Sequence, residues 1–424
     1  MKKFISSLII LLLFTLTACH KKKLQLLEKE LAAHQRGRDI LTYISLVQKQ
    51  KNQAVDDFIR ALPLEERIAQ LFVVNLVGCD TFIPVEENIA GGFLFFGYNI
   101  AQTPVQMQQF NQSIINYCRD QGKIPPFLTV DQEGGYVNRL RSLNGPLPSA
   151  RRVSQELSVS QAGSLDELQA IQMKAMGFTM NLAPVAEVCT QDNEKFLDGR
   201  SFGELEQVKE YGGVCLQAYE TNGIASVLKH FPGNTNTDPH TGLPQINWDQ
   251  EEMQLQLQAF KELIQKKPSA LLMSHAKVSG YDEENPACLS HYWVTEVVRN
   301  QLGFEGIVFS DDIFMGALAD NGFPPQVAVV SAIEAGIDCI MISEKRIADS
   351  VGVLCNKARW EPAFEEKINQ AVRRIIDYKI RCGFFALELA EDGQYNLTIK
   401  YPEFSGQAFD KAREENIKLY VDNF

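Results

Sequence analysis

Eight short runs of β-branched and large apolar residues recur along the 424-residue chain: Leu71–Val77, Gly92–Gly97, Phe127–Val130, Met180–Val188, Ile224–Leu228, Ala270–His275, Gly306–Ser310 and Asp338–Ile342. Longer amphipathic stretches separate them. In 249–267, for example, Met253, Leu257, Phe260 and Ile264 share one helical face. A second helix is expected over 361–380, closing on Lys379 and Arg381 before Gly383. Strand alternating with helix in this rhythm predicts a single α/β domain, a (β/α)8 TIM-type barrel over residues 63–385. An open doubly wound sheet is the rival architecture, but its GxGxxG phosphate fingerprint is absent after the first strand.

The barrel is preceded by two segments of different character. Lys2 and Lys3 introduce an apolar run from Phe4 to Leu16 that suits the core of an export signal better than a bilayer span. It ends in Leu16-Thr17-Ala18-Cys19, which resembles a bacterial lipobox. Residues 1–19 are therefore expected to be a lipoprotein signal peptide with Cys19 acylated, placing the protein on a membrane surface, on the periplasmic or outer face. Residues 20–62, rich in Lys, Gln, Glu and Leu, read as a charged helical spacer. Residues 386–424 form a C-terminal tail too short for a second domain.

A net charge of −12, with no Lys/Arg cluster after residue 23, excludes a broad grip on nucleic acid. Eight further cysteines run from Cys79 to Cys382 without any CxxC pair, so zinc-site spacing is missing and no metal or other cofactor is implied.

Polar residues gather where the strands end, which is where barrel enzymes carry their chemistry. Asp131 follows Phe127–Val130, Lys229 and His230 follow Ile224–Leu228, His275 closes Ala270–His275, and Asp311 and Asp312 follow Gly306–Ser310. The stretch Lys229-His230-Phe231-Pro232-Gly233, continued by Asn-Thr-Asn-Thr-Asp-Pro-His to His240, is a loop, because Pro232, Gly233 and Pro239 forbid a helix.

Six motifs in order, DQEGG at 131–135 with Arg139, NLAPVAEV at 181–188, GRSFG at 199–203, KHFPG at 229–233, SHAKV at 274–278 and FSDDIFMGAL at 309–318, resemble glycoside hydrolase family 3, in its β-N-acetylhexosaminidase branch. The resemblance covers about residues 63–385. It implies a retaining exo-β-N-acetylglucosaminidase acting on terminal N-acetylglucosamine of cell-wall (muropeptide) or chitin-type fragments. The nucleophile would be Asp311. Asp312, next along a period-two element, should point elsewhere. The acid/base would be His240, oriented by Asp238, on a flexible flap. An imidazole whose pKa is ordinarily near 6.5 suits both proton steps around neutral pH. Asp131, Arg139, Arg200, Lys229 and His230 would bind the sugar, and His275 would line the wall.

Two departures from the family pattern bear on substrate preference. The flap is a couple of residues shorter than usual, with Pro239 where a serine is common, and Tyr136 stands in place of an arginine. A family 3 β-glucosidase-like enzyme and a non-catalytic sugar-binding lipoprotein are the alternatives.

Overall fold

The computed structural model describes residues 37–238 and 242–424. The expected signal peptide, Cys19 and His240 lie outside the described residues. The chain divides into two compact units. The smaller comprises residues 37–57 and 387–396, and the larger residues 58–386 and 397–424. Helix α1 (Gly37–Ala61) begins the described chain, where the spacer was expected. Within the smaller unit, the Lys51 ammonium lies 5.3 Å from the centre of the Tyr395 ring. Among the described residues no helix is long and apolar enough to cross a membrane.

The larger unit is built on eight parallel strands. They are β1 (Phe72–Asn75), β2 (Gly92–Phe95), β3 (Phe127–Val130), β4 (Met180–Asn181), β5 (Ala225–Phe231), β6 (Ala270–Met273), β7 (Ile307–Phe309) and β8 (Ile340–Met341). Each pairs in parallel with its sequence neighbour. β8 returns to β1 through Phe72↔Ile340 and Val73↔Met341, and a bridge between Phe309 and Cys339 joins β7 to β8 and closes the ring. Every residue of these strands is buried, as expected of strands covered by helices outside and packed side chains within. That is why they read as unbroken apolar runs.

The helices that complete the crossovers are locally well specified. In α2 (Pro104–Gln121) the Thr103 hydroxyl accepts the Gln106 N–H at 3.2 Å, Pro104 presets the first turn, and Gly122 closes the helix at φ 65°. Then come α3 (Val159–Ala175), α4 (Leu205–Thr221) and α5 (Gln250–Ile264), the last capped by Asp249, whose carboxylate accepts the Glu252 N–H at 2.9 Å. A wider helical segment, Tyr292–Gln301, links β6 to β7. The set is completed by α6 (Pro325–Ala335), α7 (Ala348–Trp360) and α8 (Pro362–Arg381). The tail continues through a short strand, Tyr395–Ile399, into α9 (Phe409–Asn423), which packs along α3.

Three expectations are corrected. The connection from β1 to β2, residues 76–91, contains no helix, so six of the seven strand-to-strand connections are helical, and α7 and α8 follow β8. β4 is shorter than the apolar run Met180–Val188, because Pro184 cannot donate to a ladder; beyond Asn181 the chain stays alongside β5 through the Val227 N–H donating to the Ala183 carbonyl at 3.0 Å and a bridge between Val185 and Lys229. Conversely β5 extends to Phe231, so Lys229 and His230 lie inside the strand rather than after it.

Candidate active site

One cavity of about 510 Å³ opens at the carboxyl ends of the strands. Asp131, Arg139, Arg200, Lys229, His230, Asp238 and Asp311 all line it, brought together from the ends of β3, β4, β5 and β7. His230 is the extra residue of a register shift in the β5–β6 ladder between Lys229 and Phe231. A bulge of this kind re-aims side chains, and here two consecutive residues border the same cavity.

The floor is an ionic lattice. Lys229 Nζ lies 2.6 Å from Asp131 Oδ1 and 2.6 Å from Glu133 Oε1. Arg200 grips Glu133 with two parallel donors, Nε to Oε2 at 2.7 Å and Nη2 to Oε1 at 2.8 Å. Burial by itself would raise the Glu133 pKa, but the Lys229 ammonium and then the Arg200 guanidinium hold it far below the usual carboxylate range. Burial likewise opposes the charge on Lys229, and Asp131 and Glu133 outweigh it, so the ammonium is held above its ordinary pKa. Two of the three Lys229 donors are engaged in this way.

Glu133 belongs to the DQEGG hairpin, Gln132–Gly134 paired with Val137–Asn138, whose turn requires both glycines. Gly134 sits at φ 99°, and a Cβ there would stand 2.1 Å from the Pro148 carbonyl oxygen. Gly135 sits at φ 58°. Only glycine adopts both backbones without strain.

A second buried carboxylate, Glu187, organises the base of the flap. Its Oε1 lies 2.7 Å from His230 Nδ1, and its Oε2 accepts the Asn234 N–H at 2.7 Å. The neighbouring Val188 is held in turn by Gln256 of α5, whose side-chain amide bonds both the N–H, at 2.9 Å, and the C=O, at 2.8 Å, of Val188. Further along the flap, Asn236 accepts the Lys195 N–H at 2.8 Å and donates to the Gln191 carbonyl at 2.9 Å. Gly233 passes so close under Trp248 that a Cβ would meet the ring at 2.3 Å. The first half of the flap, expected to be flexible, is therefore anchored at Asn234 and Asn236, and Asp238 stands exposed at the cavity beyond those anchors.

Asp311 follows β7, and its Oδ1 accepts the Asp312 N–H at 2.8 Å. Burial would raise its pKa; the His275 and His230 rings, this N–H and Lys229 together carry it below the ordinary value, which keeps the carboxyl ionised. Asp312 borders the cavity too, against the expectation from alternation, because the backbone beyond Phe309 is no longer a strand. Its Oδ1 is committed to the Phe314 N–H at 2.9 Å and the Ser343 N–H at 3.1 Å, and burial raises its pKa. Asp312 thus ties down the loop, and of the two carboxyls it is Asp311 whose ionised form the surroundings favour. His275, expected to line the wall, is fully buried behind it. Its Nε2 lies 2.9 Å from the Asp312 carbonyl oxygen and its Nδ1 lies 3.2 Å from Cys288 Sγ. Among the described residues no group of three His, Cys, Asp or Glu side chains is arranged to hold a metal ion.

Residues 63–378 match the glycosyl hydrolase family 3 N-terminal domain. The chain belongs to glycoside hydrolase family 3. This family 3 glycosidase is 34% identical over 281 residues to a β-hexosaminidase of Vibrio cholerae, covering 64% of the chain and 80% of the relative. It is 29% identical over 318 residues to β-hexosaminidase LpqI of Mycobacterium tuberculosis, covering 73% and 77%. The solved structure of LpqI superposes with a TM-score of 0.67 at 27% identity, over 77% of this chain and 96% of that one. β-Hexosaminidase A of Pseudoalteromonas piscicida is 26% identical over 329 residues, and there the chain covers only 55% of the relative's length.

Glu133 and Glu187 were not singled out as functional in the sequence, although both stand inside the motifs that carry the resemblance. A lone acid in the apolar run Ala183 to Val188 was the available signal for Glu187, since a carboxylate in such a run is buried and must be paired.

Proposed function

We propose that this family 3 glycosidase is a retaining exo-β-N-acetylglucosaminidase that releases terminal β-linked N-acetylglucosamine from cell-wall (muropeptide) or chitin-type fragments. The observation that carries the reading is Asp311, an ionised carboxylate at the carboxyl end of β7 bordering a cavity whose floor mixes donors and acceptors. That mixture suits a polyol, and the names of the relatives supply the acetamido sugar.

In the first step Asp311 attacks the anomeric carbon. An ester bond forms, the bond to the aglycone oxygen breaks, and His240 gives that oxygen its proton. In the second step water attacks the same carbon and gives a proton back to His240, and the ester opens to return Asp311. Two inversions leave the anomeric configuration retained. Asp238 orients the imidazole, and Asp131, Arg139, Arg200, Lys229 and His230 hold the sugar hydroxyls. By the same reasoning Cys19 is the acylated residue of an exported lipoprotein, facing the periplasm or the outer surface.

The test is release of 4-nitrophenol from the β-N-acetylglucosaminide and the β-glucoside by a soluble form lacking residues 1–19. The acetamido substrate should be preferred, Asp311→Ala should lose at least about a thousandfold in kcat, and NMR should find the β-anomer formed first. Equal rates for Asp311→Ala and the parent would sink the mechanism, and preference for the glucoside would sink the specificity. Loss of acyl labelling in Cys19→Ser tests the anchor.

A further inference from the structure

The family match ends at residue 378, yet α9 reaches back to the sugar-binding floor through a chain of buried amides. Asn416, fully buried on α9, donates from Nδ2 to the Pro146 carbonyl at 2.9 Å and accepts at Oδ1 from Gln169 Nε2 at 3.1 Å. Gln169 Oε1 accepts Asn144 Nδ2 at 2.8 Å and Gln132 Nε2 at 3.4 Å. Gln132 stands between Asp131 and Glu133. It donates to Asn138 Oδ1 at 2.9 Å, accepts the Leu140 N–H at 3.1 Å, and its own N–H bonds Asn181 Oδ1 at 3.0 Å. A second route is shorter. Next to Pro146, the Leu147 carbonyl accepts the Gly135 N–H at 3.0 Å, in the turn of the same hairpin.

The fit at the far end is close. A Cβ on Gly145 would stand 2.1 Å from Asn416 Nδ2, so the 144–147 segment admits the amide only because residue 145 is glycine. The helix is docked independently of this contact, with Gln161 Nε2 donating to Asn423 Oδ1 at 2.7 Å and Arg152 over the Phe424 ring at 4.8 Å. Asn416 is therefore not needed merely to fasten α9. An amide placed in a dry interior needs partners, and those made by Asn416, Gln169 and Gln132 fix their geometry, although Asn144 Oδ1 is left without one.

We infer that Asn416 is a positioning residue for the sugar site, and that the tail 397–424 is a working part of it, setting the DQEGG hairpin and with it Asp131, Glu133 and Arg139. The inference rests on reading the cavity as a sugar site. It requires that loosening Asn416 weakens sugar binding while leaving the chemistry at Asp311 in place. In Asn416→Ala, KM for the 4-nitrophenyl N-acetylglucosaminide should rise about 3- to 30-fold with kcat nearly unchanged. Amide hydrogen exchange over 132–141 should quicken, and over 307–312 it should not. Ala412→Gly, buried on the same helix but outside the amide chain, controls for a general loss of stability. If Asn416→Ala does not fold, Asn416→Asp keeps the oxygen toward Gln169 and drops the donor to Pro146, and the same pattern is expected. Equal changes in KM and exchange for the Asn416 variant and Ala412→Gly, or no change at 132–141, would overturn the inference. If the parent hydrolyses nothing, the functional reading fails while the exchange comparison still decides the coupling.

Discussion

Glu187 and His230 are joined through a 2.7 Å contact between Oε1 and Nδ1, with the carboxylate removed from solvent. The same carboxylate accepts the Asn234 N–H, so one side chain sets both a cavity wall and the root of the flap. Glu187→Ala leaves both donors without a partner in a dry interior. The expected loss is about 3–5 kcal/mol in urea unfolding, the range for breaking one member of a buried pair. Glu187→Gln keeps the shape and an acceptor and should lose less than half as much. A Glu187→Ala protein as stable as the parent would mean that the contact organises nothing.

Gly233→Ala tests the flap from its other side. The added methyl would stand 2.3 Å from the Trp248 ring, so either the ring or the flap must move. Overpacking of this kind costs about 1–3 kcal/mol. Tryptophan emission should shift and kcat should fall, because the displaced segment carries Asp238. Unchanged emission together with unchanged kcat would show that the site accommodates a side chain, and the close approach would then have no functional weight.

The eight strands were legible because a parallel barrel buries both faces of every strand, leaving runs such as Phe127–Val130 with no polar residue except Thr129. The placement of Asp131 and Asp311 was legible for the related reason that such a run stops where the cavity starts. Long-range polar pairing was not. On α5 the face of Met253, Phe260 and Ile264 is buried as periodicity demands, but Leu257 is only half-buried and Gln256 is fully buried, because its amide satisfies both backbone groups of Val188, 68 residues away. Nothing local in the sequence marks such a glutamine. Gln169 and Asn416, 247 residues apart, pose the same difficulty. The bulge that turns both Lys229 and His230 to the cavity was hidden too, since strict alternation would send them to opposite faces.

Asp166 is buried with its pKa pushed up to about 7, chiefly by burial and against a bond from the Cys215 thiol. A carboxyl whose folded pKa lies above its unfolded one favours the native state at low pH. That contribution is complete below the ordinary aspartate value of about 3.9 and is lost as pH rises through about 7. Asp166→Asn removes the titration. The variant should gain stability relative to the parent at pH 8, and the difference should shrink toward pH 4, as read from thermal midpoints across the range. A constant difference at all pH values would mean that Asp166 does not titrate in this window.

Asp311 and Glu133 have the opposite sign. Both carboxyls are held below their ordinary values, so the stability they contribute is present above about pH 4 and is lost as pH falls through the lower folded values. The proposed attack by Asp311 needs its carboxyl ionised. The acid limb of kcat/KM should therefore fall below pH 4, under the ordinary aspartate value, and not between 5 and 6 as it would for an unassisted buried carboxyl. Lys229 is one of the groups that lower Asp311, and Lys229→Met removes its charge. In that variant the acid limb should move upward, on top of the rise in KM that the proposed sugar contact of Lys229 implies. The initial-rate profile from pH 3 to 8 for the parent and Lys229→Met decides the matter. A parent acid limb centred above pH 5, or one that Lys229→Met leaves in place, would show that the cationic surroundings do not set the ionisation of Asp311.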